Sequence, residues 1–269
     1  MRLAVEASEK HAINCYQQES SFGLASCNFD PQTCIVHIDR LSLINFKNYE
    51  EAELELSPAV NCLVGDNGSG KTNILDAIHY LSVCKSYFNP IDSQNVRHDE
   101  GFFVVQADVS VEGETDRLHC GVKKGEKKSF KRNDKEYSRL ADHIGRYPSV
   151  IITPNDTDLI REGSEVRRKF IDGIISQLNR SYLDNLIKYN KVLLQRNNLL
   201  KHFAAERRFD AESLGIWTDK LVELGIPIEQ ERRAFMERFT PIFSSFYQKI
   251  SGGVEVAGLK YKSNFSPEE

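Results

Sequence analysis

Gly65-Asp66-Asn67-Gly68-Ser69-Gly70-Lys71-Thr72 decides the fold, because it matches G-x-x-x-x-G-K-[ST] in full. Glycines at 65, 68 and 70 let the backbone wrap closely and aim successive N–H groups at phosphate oxygens. A helix is expected from about Lys71, and its positive end adds to the attraction. In such a loop Lys71 reaches the β- and γ-phosphates, and the Thr72 hydroxyl joins a Mg²⁺ shell. The expected ATP-binding residues are therefore Gly65, Asp66, Asn67, Gly68, Ser69, Gly70, Lys71 and Thr72, with Thr72 as the metal contact. Upstream, Ala59 to Val64 is an apolar run bounded by Pro58 and Gly65, which predicts a buried parallel strand. Downstream, Ile74, Leu75, Ile78 and Leu81 recur at helical spacing.

Strand patterns surround this centre. Ile38 to Phe46 predicts one strand, and Ala52, Leu54 and Leu56 alternate with Glu51, Glu53 and Glu55 as a second. Phe103, Val105, Ala107, Val109 and Val111 alternate again, as do Leu118, Cys120 and Val122. Asn133-Asp134 offers a tight turn between Lys128–Arg132 and Lys135–Tyr137. Val150, Ile151 and Ile152 suggest one more strand before Pro154. From about Val166 the period becomes helical. Phe170, Ile171, Ile174, Ile175 and Leu178 form one face, and Leu183 to Phe203 continue as a second helix. Leu214 to Leu224 and Phe235 to Phe246 suggest two further helices, and Val254 to Tyr261 a final strand. The expected organisation is a loosely ordered extension over 1–36, an α/β phosphate-loop lobe over 37–160, a helical lobe over 161–250 and a returning segment over 251–269.

The 269 residues carry 35 basic and 39 acidic side chains, for a formal charge of −4. No stretch approaches the 18 uncharged apolar residues of a membrane span, and no membrane partner is expected. The first thirty residues include Glu6, Glu9, Lys10, Glu19 and Asp30 and show no signal-peptide pattern. Six cysteines without a C-x-x-C pair fit reduced thiols. The charge is unevenly spread: residues 117–208 hold 21 basic and 11 acidic side chains, a balance of +10 against −14 elsewhere. Such a region suits an anionic partner. Lys123, Lys124, Lys127, Lys128, Lys131 and Arg132 flank the expected hairpin, and Arg167, Arg168, Lys188, Lys191 and Arg196 lie in the helical half. These are the candidate contacts for such an anionic partner.

Other phosphate-enzyme motifs are harder to place. A Walker B element needs an apolar strand ending in Asp, but Val150–Thr153 runs into Pro154, and Phe103–Val105 is followed by Gln106. Asp142-His143-Ile144-Gly145 matches D-x-x-G without a preceding apolar strand, and is taken as coincidence. Ile250-Ser251-Gly252-Gly253 approaches L-S-G-G-Q, yet Val254 replaces the glutamine, so a turn before a strand is expected.

Several ordered segments resemble the RecF family of SMC/Rad50-type ABC ATPases. Ile38-Asp39-Arg40-Leu41-Ser42-Leu43-Ile44-Asn45-Phe46-Lys47-Asn48-Tyr49 is similar to its opening strand and N-F-R-N-Y segment. Gly65–Thr72 continued by Asn73-Ile74-Leu75-Asp76-Ala77-Ile78 is similar to G-x-N-G-x-G-K-T-N-x-L-E-A-I. Thr153-Pro154-Asn155-Asp156 with Arg167-Arg168-Lys169-Phe170-Ile171-Asp172 resembles S-P-E-D…R-R-x-F-L-D, and Tyr189–Lys201 resembles a fourth block. Asp76 departs from the usual Glu, and Phe88 from a frequent Arg. The resemblance implies a P-loop ABC-type ATPase head, here an incomplete lobe I with an inserted, mainly helical lobe II. It implies ATP and Mg²⁺ as cofactors, binding to single-stranded or gapped DNA, and RecR and RecO as partners. It also implies roles in replication, recombinational repair and SOS induction, in the cytoplasm. The family's signature and Walker B lie past the point corresponding to Glu269, so a C-terminally truncated chain is expected to bind ATP without turnover. By the same reasoning the family's ATP-dependent homodimer is not expected of it. The competing readings are a P-loop small-molecule phosphotransferase and a non-catalytic fragment that docks on a protein partner.

Overall fold

Alternating apolar and polar residues build the principal sheet of the computed structural model, which describes residues 5–7 and 36–263. Strands β2 (His37–Phe46), β3 (Tyr49–Glu55), β5 (Phe102–Val111), β6 (Glu114–Lys123), β7 (Ser129–Arg132) and β8 (Lys135–Glu136) run in the order β3-β2-β5-β6-β7-β8, and every neighbouring pair is antiparallel. The period of two sends Leu41, Leu43, Val105, Ala107, Leu118 and Cys120 into the core, while the glutamates of β3 stay outside. Helix α1 (Lys71–Val83) contributes Ile74, Ala77, Tyr80 and Leu81 to the same core. There Phe103 meets Phe46 and Tyr80 edge-on, with ring centroids 5.1 and 5.6 Å away. The β7–β8 turn places Asn133 and Asp134 at φ 49° and 63°, the left-handed pair a two-residue hairpin needs.

A second compact unit begins at Thr153. It holds α2 (Ser164–Leu178), α3 (Arg180–Glu206) and α4 (Ala211–Ile250). Asn179 caps α3 by accepting from Tyr182 N–H, and Asp210 caps α4 by accepting from Glu212 and Ser213. Ile175, Tyr182, Ile228, Phe235 and Met236 form its core. Beside them Arg232 donates to both oxygens of Asp172, at 2.8 and 2.7 Å, and Tyr182 Oη donates to Asp172 Oδ1 at 2.5 Å. No helix among the described residues is long and apolar enough to cross a membrane.

Four expectations need correction. The strand before the loop, β4 (Asn61–Leu63), pairs antiparallel with β1 (Val5–Ala7), and no strand among the described residues runs parallel to it. Val60 and Val64 are consequently exposed rather than buried. Val150–Ile152 forms no strand; with no strand to pair with among the described residues, Val150 and Ile152 face solvent. The two last helices are one helix of 40 residues that runs through Pro227 and Pro241. A ladder of Phe235, Phe239, Phe243 and Tyr247, with successive centroids 5.4, 6.3 and 6.0 Å apart, carries it past Pro241, so packing overrides the lost N–H donors. Val254–Tyr261 is irregular: Leu259 and Tyr261 pack on the helical core, and Ser244 Oγ donates to Ala257 O at 3.1 Å. The loosely ordered extension expected over 1–36 falls almost wholly outside the described residues.

His143 gives the first unit a predictable response to acid. Its ring is fully buried, donates from Nε2 to Leu81 O at 2.6 Å, and packs 4.3 Å from Phe130. Burial pushes its pKa down to about 4. An unfolded imidazole, near 6.5, takes up a proton that the folded one refuses, so stability falls as pH drops through that window. The expected slope is about 1.4 kcal/mol per pH unit. Denaturant titrations between pH 7 and 4 measure it, and His143→Gln is expected to flatten that limb.

Candidate nucleotide-binding site

The glycine-rich loop joins β4 to α1, and its shape follows from which residues tolerate a left-handed backbone. Gly68 and Gly70 sit at φ 80° and 103°, conformations that a side chain makes costly. Gly70 is the N-cap of α1, and its carbonyl accepts from Asn73 N and Ile74 N at 2.8 and 3.2 Å. The first turn of α1 carries no acidic side chain, so nothing there offsets the positive end of the helix dipole. Lys71 folds back over the loop and donates from Nζ to Gly65 O at 2.7 Å and Asp66 O at 2.8 Å. Thr72 and residues 65–68 are open to solvent. Ser69 is buried, yet its Oγ has no hydrogen-bond partner.

An orphaned hydroxyl, a movable ammonium and an uncompensated helix end converge on one loop, and together they fit the polyphosphate of a nucleotide. The loop supplies backbone N–H groups, Lys71 a point charge, and Thr72 an exposed hydroxyl for a divalent cation.

Two contributors escaped the sequence reading as site residues. Asp76, on the buried face of α1, is 0% exposed and accepts from Lys47 Nζ at 2.6 Å, Ser86 Oγ at 2.6 Å and Tyr87 N at 2.7 Å. Lys47 is one of the two turn residues between β2 and β3, and its ammonium also lies 5.3 Å from the centre of the Phe88 ring. The available signal was a lone carboxylate among Ile74, Ala77 and Leu81, which demands a buried cation. Across the same turn, Asn48 and Tyr49 reach the loop itself.

The basic candidates are dispersed. Lys128 is not a free cation: it is bound to Asp92 Oδ2 at 2.8 Å, Tyr80 Oη at 2.9 Å and Cys84 O at 2.6 Å. Arg132 is held by Asp116 at 2.9 Å, Lys123 by Glu126 at 2.5 Å, and Lys124 by Glu100 O at 2.7 Å. Lys127 is exposed at the β6–β7 turn, and Lys131 is half-exposed on β7 opposite His119. In the helical unit Arg167 donates to Leu159 O and Glu162 O, Arg168 to Ser164 Oγ, and Arg196 to Thr218 Oγ1. Lys188 and Lys191 stand exposed on α3. Asp156 accepts from Thr153 N at 2.8 Å, which commits its carboxylate to a local turn.

Comparison with known proteins gives this geometry a context. The AAA domain family model matches residues 40–239. The DNA replication and repair protein RecF of Flavobacterium johnsoniae is 49% identical over 229 residues, which is 85% of this chain and 64% of that protein. RecF of Phocaeicola vulgatus is 50% identical over 228 residues, covering 84% and 61%. This chain thus spans about six-tenths of the length of the curated relatives it matches. Among solved structures, the recombination mediator protein RecF with ATP, of the RecFOR pathway, is similar at a TM-score of 0.74 and 30% identity, over 82% of this chain and 60% of that one.

A Cβ tests the packing of the loop. At Gly70 it would lie 2.5 Å from Asn48 Nδ2 and 2.8 Å from Tyr49 Oη, whereas at Gly68 nothing lies within 4 Å. Gly68→Ala is expected to lower unfolding free energy by about 1–2 kcal/mol through its backbone alone. Gly70→Ala adds the clash, and denaturant unfolding should rank it clearly the more damaging.

Proposed function

The chain belongs to the AAA-domain family and is a homologue of RecF proteins over most of its length, and from that premise we propose that it is an ATP-binding, DNA-binding protein of DNA replication and recombinational repair. The loop of Gly65 to Thr72, with its orphaned Ser69 hydroxyl, carries this reading. Backbone N–H groups of the loop and the α1 N-terminus bind the phosphates, Lys71 exchanges its contacts with Gly65 O and Asp66 O for phosphate oxygens, and the Thr72 hydroxyl meets Mg²⁺. When bound, Mg-ATP supplies the differential binding energy by which one conformation of the protein is favoured over another.

DNA contact in this proposal is electrostatic and directed at the phosphate backbone, so it carries little preference for base sequence, and the single-stranded or gapped DNA of the proposal comes through the family resemblance alone. Lys127 and Lys131 at the hairpin, and Lys188 and Lys191 on α3, are its most available cations. RecR and RecO as partners, an ATP-dependent homodimer, SOS induction and a cytoplasmic setting belong to the same proposal through the relatives.

Thermal unfolding with and without Mg-ATP tests the nucleotide half. At about 100 times the dissociation constant the ligand should add roughly 2.7 kcal/mol, and Lys71→Ala should abolish that gain. A gain that survives the substitution refutes the site. Salt titration of DNA binding tests the other half, with an expected slope near −0.9 per neutralised duplex phosphate, smaller on single strands. Joint Lys127→Glu and Lys131→Glu substitution should reduce both affinity and slope; unchanged values would leave the hairpin a solvated surface.

A further inference from the structure

Every peptide bond in the described chain is trans, so each carbonyl and the N–H that follows it point in opposite directions within one plane. That geometry gives the β2–β3 turn a grip on the phosphate loop. Asn48 Nδ2 donates to Ser69 O at 3.2 Å, and Tyr49 Oη donates to the same oxygen at 3.5 Å. Asn48 is itself oriented, because its Oδ1 accepts from Asn73 Nδ2 at 2.7 Å on the first turn of α1. The turn is fixed from behind as well: Lys47 N donates to Asn95 O at 2.8 Å, and Lys47 Nζ is anchored on Asp76.

With the Ser69 carbonyl drawn toward the turn, the Gly70 N–H must face away from it. Gly70 is a residue whose backbone could otherwise rotate cheaply, since it lacks a Cβ and sits at φ 103°. A glycine peptide left unpinned would sample both orientations, and only one of them presents a donor to an anion. We propose that Asn48, assisted by Tyr49, is a positioning residue for phosphate binding, which holds the Ser69–Gly70 peptide with its N–H aimed at the ligand. The Oγ of the same Ser69 is buried and unpartnered, a polar atom that a ligand would satisfy. The inference rests on the phosphate-loop reading and adds to it a residue 17 positions before the motif begins.

Selective ¹⁵N-glycine labelling of the full chain reads the peptide directly. In the unsubstituted protein, ATP and inorganic tripolyphosphate should both shift the Gly70 amide proton downfield, together with other loop glycines. In Asn48→Ala the Gly70 shift should shrink while that of Gly68 persists, and both ligands should bind about fivefold to tenfold more weakly, as expected for one lost hydrogen bond. The unfolding temperature without ligand should change little, which separates positioning from general destabilisation. Tyr49→Phe, which removes the longer contact, should show the same pattern at smaller size, and it serves if Asn48→Ala does not fold. Unchanged affinity and an unchanged Gly70 shift in a folded variant would overturn the proposal. If Lys71→Ala also bound both ligands normally, the phosphate-loop reading itself would fail; if Lys71→Ala lost binding while Asn48→Ala kept it, the positioning role alone would fail.

Discussion

A carboxylate sealed from water is tolerable only when charge and donors surround it, and Asp76 is such a group. Its three donors come from two places: the β2–β3 turn through Lys47, and the segment after α1 through Ser86 and Tyr87. Removing Lys47 would strand a buried charge and removing either other donor would leave it a hydrogen bond short, so the turn, the helix and the following loop hold a common geometry. Helix α1 cannot shift along the sheet without breaking the Lys47–Asp76 pair. The loop that opens α1 is therefore placed as firmly as the core beneath it.

The helical unit uses the same chemistry with a different outcome. Asp172, Arg232 and Tyr182 tie α2, α3 and α4 together beside a core of Ile175, Ile228 and Phe235. A bidentate guanidinium fixes direction as well as distance, which suits the joining of three helices that cross. Two prolines inside α4 each remove a backbone donor, yet buried Leu224, Ile228 and Met236 and the aromatic ladder keep the axis continuous. Burial outweighs the local cost.

Charge counting overstated the surface available to an anionic partner. The excess of +10 over residues 117–208 is real, but several of its members are spent on the protein itself. Lys128 stabilises Asp92 and the Tyr80 hydroxyl beneath the sheet, and Arg132 offsets Asp116. Among the candidate contacts, Lys127 and part of Lys131 in the first unit and Lys188 and Lys191 in the second remain for solvent, while Lys135, Lys201, Arg207 and Arg208 are exposed outside that set.

The sequence by itself determined the phosphate loop, its helix, and the strands whose apolar residues alternate, because those depend on glycine's backbone freedom and on a period of two. It also determined the Asn133-Asp134 turn and the helices from Ser164 to Glu206. Only the tertiary structure decided the rest. Val150–Ile152 and Val254–Tyr261 have strand-forming residues, but a strand needs a paired backbone, and no local pattern states whether one is present. Apolar spacing suggested two helices over Leu214–Leu224 and Phe235–Phe246, and packing joined them into one that runs through Pro227 and Pro241. Asp76 lies far in sequence from Lys47 and Asn48, and what makes them parts of one site is a turn that brings an ammonium and a carboxamide against the helix that the loop opens. Local preference is a matter of a residue and its neighbours; the pairing of buried charges is a matter of which segments the fold brings together.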